Sequence, residues 1–250
     1  MTTIDLNADL GEGVGDDEAM LELVSSASIA CGGHAGTPDT IRRVLTRCKE
    51  RGIRVGAHPG YPDKANFGRL RLVMPLDQLL GQIRSQLVLI RTIADQVGAP
   101  IAYIKLHGAL ANQAAEELPL AVGVFGALQA MDPDMTVLAL EGSAQVRAAR
   151  AVGLKVELEA YADRAYQPNG LLVPRSEAGA VLHDASAIAD RCVRLATARE
   201  IVAIDGTILR TEARSICIHG DNPEAVAIGR AVRTALAAAG VTIAAPGREG

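Results

Sequence analysis

A chain of 250 residues that is 49% hydrophobic is long enough to bury a full core, and no run of Pro, Ser or like charge divides it, so one domain over 1–250 is expected. A net charge of −4 with only 2% aromatic residues argues against a nucleic-acid partner, which needs a basic excess and stacking rings. The start Met1-Thr2-Thr3-Ile4-Asp5 has neither the basic stretch nor the apolar core of a secretory signal, which predicts a cytoplasmic protein with no membrane partner and leaves small-molecule chemistry.

The first predicted strand, 3–9, puts Ile4, Leu6 and Ala8 on one face and Asp5, Asn7 and Asp9 on the other. Gly11-Glu12-Gly13-Val14-Gly15 follows as a turn, since no Lys-Ser/Thr makes it a phosphate loop. A second strand, 28–33, runs into His34, and Thr37-Pro38 then opens a helix that stops at Gly52. Strand 53–58 ends in His58 and leads into a long polar loop, Pro59 to Arg71, at the end of the sheet where sites form. After a helix stopping at Gly98, strand 101–107 sets Ile104 and Leu106 against Lys105 and His107.

Strands 135–141 and 154–160 follow, with a helix stop at Gly153; the latter sets Val156, Leu158 and Ala160 against Glu157, Glu159 and Tyr161. His183, near a helix start and after no strand, reads as a capping or surface residue. Residues 201–210 are two β-prone runs joined at Asp205-Gly206, a hairpin. Strand 215–219 ends in His219, Asn222-Pro223-Glu224 opens the last helix, Gly240 ends it, and 246–250 is a frayed tail. Cys31, Cys48, Cys192 and Cys217 form no CxxC pair and are expected to be buried packing residues.

Alternation of about seven strands with helices predicts a parallel β/α architecture, and the split between polar and apolar strand faces predicts closure into a barrel. The inward polar groups then need partners or water. Four of the five histidines stand at or just past strand ends, so Asp9, His34, His58, His107, Glu159 and His219 are expected to share one pocket.

Asp5-Leu6-Asn7-Ala8-Asp9-Leu10-Gly11-Glu12, Ile29 to Gly36, Gly56-Ala57-His58-Pro59, Lys105-Leu106-His107-Gly108-Ala109-Leu110, Ala162 to Tyr166, Leu172 to Arg175 and His219-Gly220-Asp221 together resemble the LamB/YcsF family through nearly the whole chain. The resemblance implies a seven-stranded barrel similar to deacetylase and glycoside hydrolase barrels. It also implies 5-oxoprolinase activity, the ATP-dependent opening of 5-oxo-L-proline to L-glutamate, shared with two further subunits, B and C. Family members commonly carry an aromatic residue where this chain has Gly33, Pro where it has Leu106 and Tyr where it has Ala111.

Lactam hydrolysis needs a base, an acid and an activated carbonyl. Asp9, His34, His58, Lys105, His107, Glu159, Asp163 and His219 are the candidate catalytic set, with Asn7, Arg69, Arg164 and Asp221 for binding substrate. Lys105 and Arg164 suit the substrate carboxylate or a phosphorylated oxygen. ATP with magnesium is the expected co-substrate, on this chain or on its partners. Asp9, His34 and His58 are candidate ligands of a divalent ion, but only the fold analogy groups them, so the spacing favours a metal-free site. A stand-alone metal-dependent deacetylase and a non-catalytic ligand-binding subunit remain alternatives, and association with further copies of the chain stays open.

Overall fold

The computed structural model describes residues 2–222 and 224–247, so Met1, Pro223 and the last three residues of the expected tail lie outside the described residues. Seven parallel strands close a barrel: β1 (Thr2–Leu10), β2 (Ser26–Ala30), β3 (Arg54–His58), β4 (Ile101–Ile104), β5 (Thr136–Leu140), β6 (Lys155–Tyr161) and β9 (Ser215–His219), with β9 pairing both β6 and β1. Helices α1 (Asp17–Leu21), α2 (Pro38–Arg51), α3 (Leu76–Val97), α4 (Gly108–Glu116), α5 (Leu118–Met131), α6 (Ala144–Ala151), α7 (Ala185–Ala198) and α8 (Ala225–Ala238) fall between or after them. The expected hairpin is β7 (Glu200–Val202) with β8 (Ile208–Arg210), antiparallel. A strand not expected from the sequence, β10 (Val241–Ile243), pairs with Thr2–Ile4 of β1 beside the stretch that β9 occupies. Three residues directly after a helix stop are too short a run to show periodicity.

Helix boundaries follow their local chemistry. Thr37 Oγ1 accepts from the Thr40 backbone N–H at 3.2 Å, with Pro38 next in line, and Gly52 and Gly98 end α2 and α3 in the left-handed region. Asn222 Oδ1 accepts from the Glu224 N–H at 3.0 Å ahead of α8. His183 is exposed, and the cap of α7 is its neighbour Asp184.

Two strands differ from expectation by more than one residue at an end. Strand β2 begins earlier, at Ser26, because Ser26 Oγ donates to Asp5 Oδ1 at 2.7 Å inside the barrel; it ends at Ala30 because Gly32 turns the chain. Regular pairing of β4 stops at Ile104, yet the Lys105 and His107 N–H groups still reach the carbonyls of Ala57 and Pro59, so both residues stay alongside β3.

The apolar strand faces pack outward on the helices, with Ile4, Leu6, Ala8, Ile104, Ile216 and Ile218 all buried. The polar faces turn inward, and the partners they require are largely one another. Asp5 accepts from Ser25, Ser26 and Ser215; Arg54 donates to both carboxylate oxygens of Glu157 and lies over the Tyr103 ring; the Tyr103 hydroxyl meets Ser28 at 3.0 Å. Position 56 must be Gly, since a Cβ there would stand 2.2 Å from the Tyr103 ring.

Candidate functional site

Above this floor the strand ends bring two linked clusters to the mouth. In the first, Lys105 from the end of β4 points into the barrel, 2% exposed. Its Nζ lies 2.9 Å from Asp9 Oδ1, 3.1 Å from Glu159 Oε2, 3.3 Å from Asn7 Oδ1 and 3.0 Å from Cys217 Sγ. Burial by itself would lower the lysine pKa, but Asp9, Cys217 and Glu159 hold it well above the ordinary value. Burial likewise pushes the Asp9 carboxyl up, and His58 and Lys105 outweigh it, leaving Asp9 well below the usual range.

Beside this cluster Tyr161 stacks on His219 at 5.3 Å and donates to Glu159 Oε1 at 2.8 Å. His219 Nδ1 is 2.8 Å from Asp163 Oδ1. Burial raises and His219 lowers the Asp163 pKa, and the net shift is downward. A ring that donates from Nδ1 to a carboxylate keeps Nε2 as its acceptor, the geometry of an oriented general base.

The second cluster is made of imidazoles. His34, in the turn after β2, and His107, at the start of α4, stack at 3.5 Å between centroids and 3° between planes, with His58 edge-on to both. Glu12, in the turn after β1, puts Oε1 3.0 Å from His34 Nε2. Burial drives the His34 pKa down to about 2, with His58 adding to it; burial and the two other rings hold His107 well below its ordinary value. The carboxyl of Glu12 is pushed well up by burial and by the charges of Asp9 and Asp221.

A cavity of about 390 Å³ opens over both clusters, lined among others by Asp9, Glu12, His58, Lys105, His107 and His219. Not every expected member reaches it. His34, Glu159, Asp163 and Asn7 stand one side chain behind the wall, so the expectation that His34 and Glu159 share the pocket is corrected: they position the residues that do.

Two of the expected anion binders are otherwise engaged. Arg164 is 2% exposed and spends Nε and Nη2 on the carbonyls of Ala180 and Val173, closing the 163–182 segment. Lys105 is surrounded by acceptors. Arg164 nonetheless lines the cavity together with Arg69, Arg71 and Arg175; Arg69 pairs with Asp221 and Arg71 with Glu116.

The Pro59–Arg71 loop contributes as expected: the Phe67 carbonyl meets His107 Nε2, and Gln86 clasps both the N–H and the carbonyl of Gly60. Gln86 also accounts for Gly33, whose Cβ would lie 2.3 Å from its Oε1. All four cysteines are buried and free, but Cys217 faces Lys105 rather than the apolar core alone. Sequence reasoning missed Glu12 and Tyr161. The signal for Glu12 was that it is the one charged residue in an otherwise apolar Gly-rich turn at a strand end.

The expected ligand triad of Asp9, His34 and His58 converges only in part: His58 Nε2 lies 3.4 Å from Asp9 Oδ2, but Asp9 and His34 fall in separate donor groups. Among the described residues the donor atoms that come together are those of Glu12, His34, His58 and His107, and separately those of Asp9, Cys217 and His219. No helix among the described residues is long and apolar enough to cross a membrane.

The model of the LamB/YcsF family matches residues 4–249. A protein of Agrobacterium fabrum, named as the first of that organism's 5-oxoprolinase A subunits, is 46% identical over 248 residues, covering 97% of each chain. The A subunit of the 5-oxoprolinase of Mycobacterium avium is 46% identical over 250 residues, covering 98% of this chain and 99% of that one. Among solved structures, the lactam utilization protein from Thermus thermophilus superposes with a TM-score of 0.91 at 36% identity, over 97% of this chain and 99% of that one.

Proposed function

Because the chain belongs to the LamB/YcsF family, we propose that it is the A subunit of a 5-oxoprolinase and takes part in the ATP-dependent hydrolysis of 5-oxo-L-proline to L-glutamate with subunits B and C. The observation that carries this reading is a cavity with His219, held from behind by Asp163, at its wall and arginines lining it, in a chain that matches relatives of that name over 97–98% of its length.

Ring opening adds the oxygen of water to the lactam carbon, breaks the C–N bond and delivers a proton to the departing nitrogen. His219 is the base for that water, taking its proton on Nε2 while Asp163 holds Nδ1 and stabilises the imidazolium that forms. Arg69, Arg71 and Arg175 draw the substrate carboxylate or a phosphorylated carbonyl oxygen to the rim. Lys105 fixes the relative positions of Asp9 and Glu159 under the reacting centre. ATP with magnesium would supply activation by phosphorylating the carbonyl oxygen, so that ring opening would give an acyl phosphate from which a second water releases phosphate and L-glutamate. We assign its site to the partner subunits, because the Gly11–Gly15 turn directs the Glu12 carboxyl toward His34, where a phosphate loop would present donors instead.

The test is glutamate release from 5-oxo-L-proline with ATP and magnesium, by this chain alone and reconstituted with subunits B and C. Efficient turnover is expected only from the mixture and is expected to be lost with His219→Ala, while the variant still assembles. Turnover by the lone chain equal to that of the mixture would overturn the division of labour, and full activity of His219→Ala in the mixture would overturn the assignment of the base.

A further inference from the structure

The imidazole cluster is not satisfied by its own hydrogen bonds. His58 Nδ1 lies 2.8 Å from the Lys105 carbonyl oxygen and His107 Nε2 lies 2.9 Å from that of Phe67. A carbonyl only accepts, so in each neutral ring that nitrogen carries the proton. The nitrogens left over, His58 Nε2 and His107 Nδ1, face each other at 3.0 Å, each with a lone pair. Two acceptors at that distance repel unless something positive lies between them, either a proton on His58 Nε2, which also lies 3.4 Å from Asp9 Oδ2, or a metal ion. Glu12 Oε1 is a further atom able to bind a cation, 3.4 Å from His107 Nδ1 and 3.0 Å from His34 Nε2, while His34 Nδ1 is buried with no hydrogen-bond partner.

We propose that His34, His58, His107 and Glu12 bind one divalent transition-metal ion of the zinc type, and that this ion ties together the ends of the four consecutive strands β1 to β4. The four residues are buried, and their donor atoms all lie within 4.8 Å of one another. Ligands about 2.05 Å from a tetrahedral zinc ion stand about 3.3 Å apart. The neighbouring donors here, at 3.0, 3.4 and 3.0 Å, straddle that spacing. The Lys105 and Phe67 carbonyls are the outer hydrogen bonds that set tautomer and aim in metal-bound imidazoles.

Three nitrogens and one oxygen suit zinc, cobalt or nickel, whereas magnesium and calcium take oxygen. The other convergent group, Asp9, Cys217 and His219, already holds a cation: the Lys105 ammonium, 2.9 Å from Asp9 Oδ1 and 3.0 Å from Cys217 Sγ. That is why Glu12, not Asp9, completes the set. The covering loop is shaped to the rings, since a Cβ at Gly68 would lie 2.7 Å from the His34 Cβ and one at Gly60 would lie 3.0 Å from His34 Nδ1. Four protein donors make a closed, structural site, and the ion bound there supplies a fixed positive charge beside Asp9. Such binding does not require that the cavity take a lactam.

The test strips the full chain with a chelator, titrates it with zinc and with cobalt(II), and reads metal content by mass spectrometry and ligand-field absorption in the visible. One equivalent per chain, with a cobalt spectrum typical of four-coordination, is expected. His107→Ala and Glu12→Gln are expected to weaken zinc binding at least about tenfold, and Cys217→Ala, in the other cluster, to leave it unchanged. Less than a tenth of an equivalent bound by the parent chain in micromolar zinc or cobalt would overturn the proposal, whatever the folding of the variants. So would stoichiometric binding that a folded His107→Ala variant retains in full.

Discussion

Replacing Lys105 by Met keeps the length and bulk of the side chain and removes only its charge. What remains is a buried pair of carboxylates, Asp9 and Glu159, 5% and 1% exposed, which in the parent lie 2.9 and 3.1 Å from the ammonium. Removing one partner of a buried ion pair costs about 3–5 kcal/mol, because the remaining charge stays desolvated. Two carboxylates share this one cation, which points to the upper half of that range. For a chain of this size each kcal/mol moves the melting temperature by about 2–4 °C, so a fall of about 8–20 °C is expected near pH 8. The sign of the pH dependence follows from Asp9. In the parent its folded pKa is depressed, so its contribution is present above the ordinary carboxylate pKa and lost as pH falls through the folded value. In the variant the lowering by Lys105 is gone while burial still acts to raise that pKa, so the folded state takes up the proton at a higher pH than in the parent and the deficit shrinks as pH falls. Parent and variant should therefore converge on acidification. Thermal and urea unfolding across pH 4.5 to 8.5 measures this directly; a variant melting within about 2 °C of the parent at pH 8, with no convergence, would refute the account of Lys105 as the counter-charge of the barrel.

Asp163→Asn should lose stability above the ordinary carboxylate pKa of 3.8, where the depressed folded pKa stabilises the parent, and the difference should vanish as pH drops below the folded value; urea midpoints against pH test it. Arg164→Ala should destabilise the chain by about 2–4 kcal/mol through the two carbonyls it leaves unpaired, and open 163–182 to limited proteolysis; a raised Michaelis constant with unchanged melting would return Arg164 to the substrate. Gly33→Ala should cost about 1–3 kcal/mol by pushing Gln86 off Gly60. In a double-mutant cycle Gln86→Ala should recover part of that cost, and simple additivity would show that the two do not meet.

The alternation of strands and helices, the inward polar face of each strand and the placing of His58, His107 and His219 at strand ends were all legible in the sequence. Each depends on a period of two or 3.6 residues and on capping chemistry within a turn, which act over a few neighbours. The pairing of those residues was not legible. Arg164 and Lys105 both read in the sequence as cations suited to an anion, yet one bonds the carbonyls of Ala180 and Val173 and the other is taken up by Asp9 and Glu159. Glu12 reads as part of a turn until β1, β2, β3 and β4 lie side by side and bring His34, His58 and His107 within reach of it. A local pattern decides which face a side chain takes; only closure of the barrel decides which distant side chain it meets there, because the contact joins residues that no short-range periodicity connects.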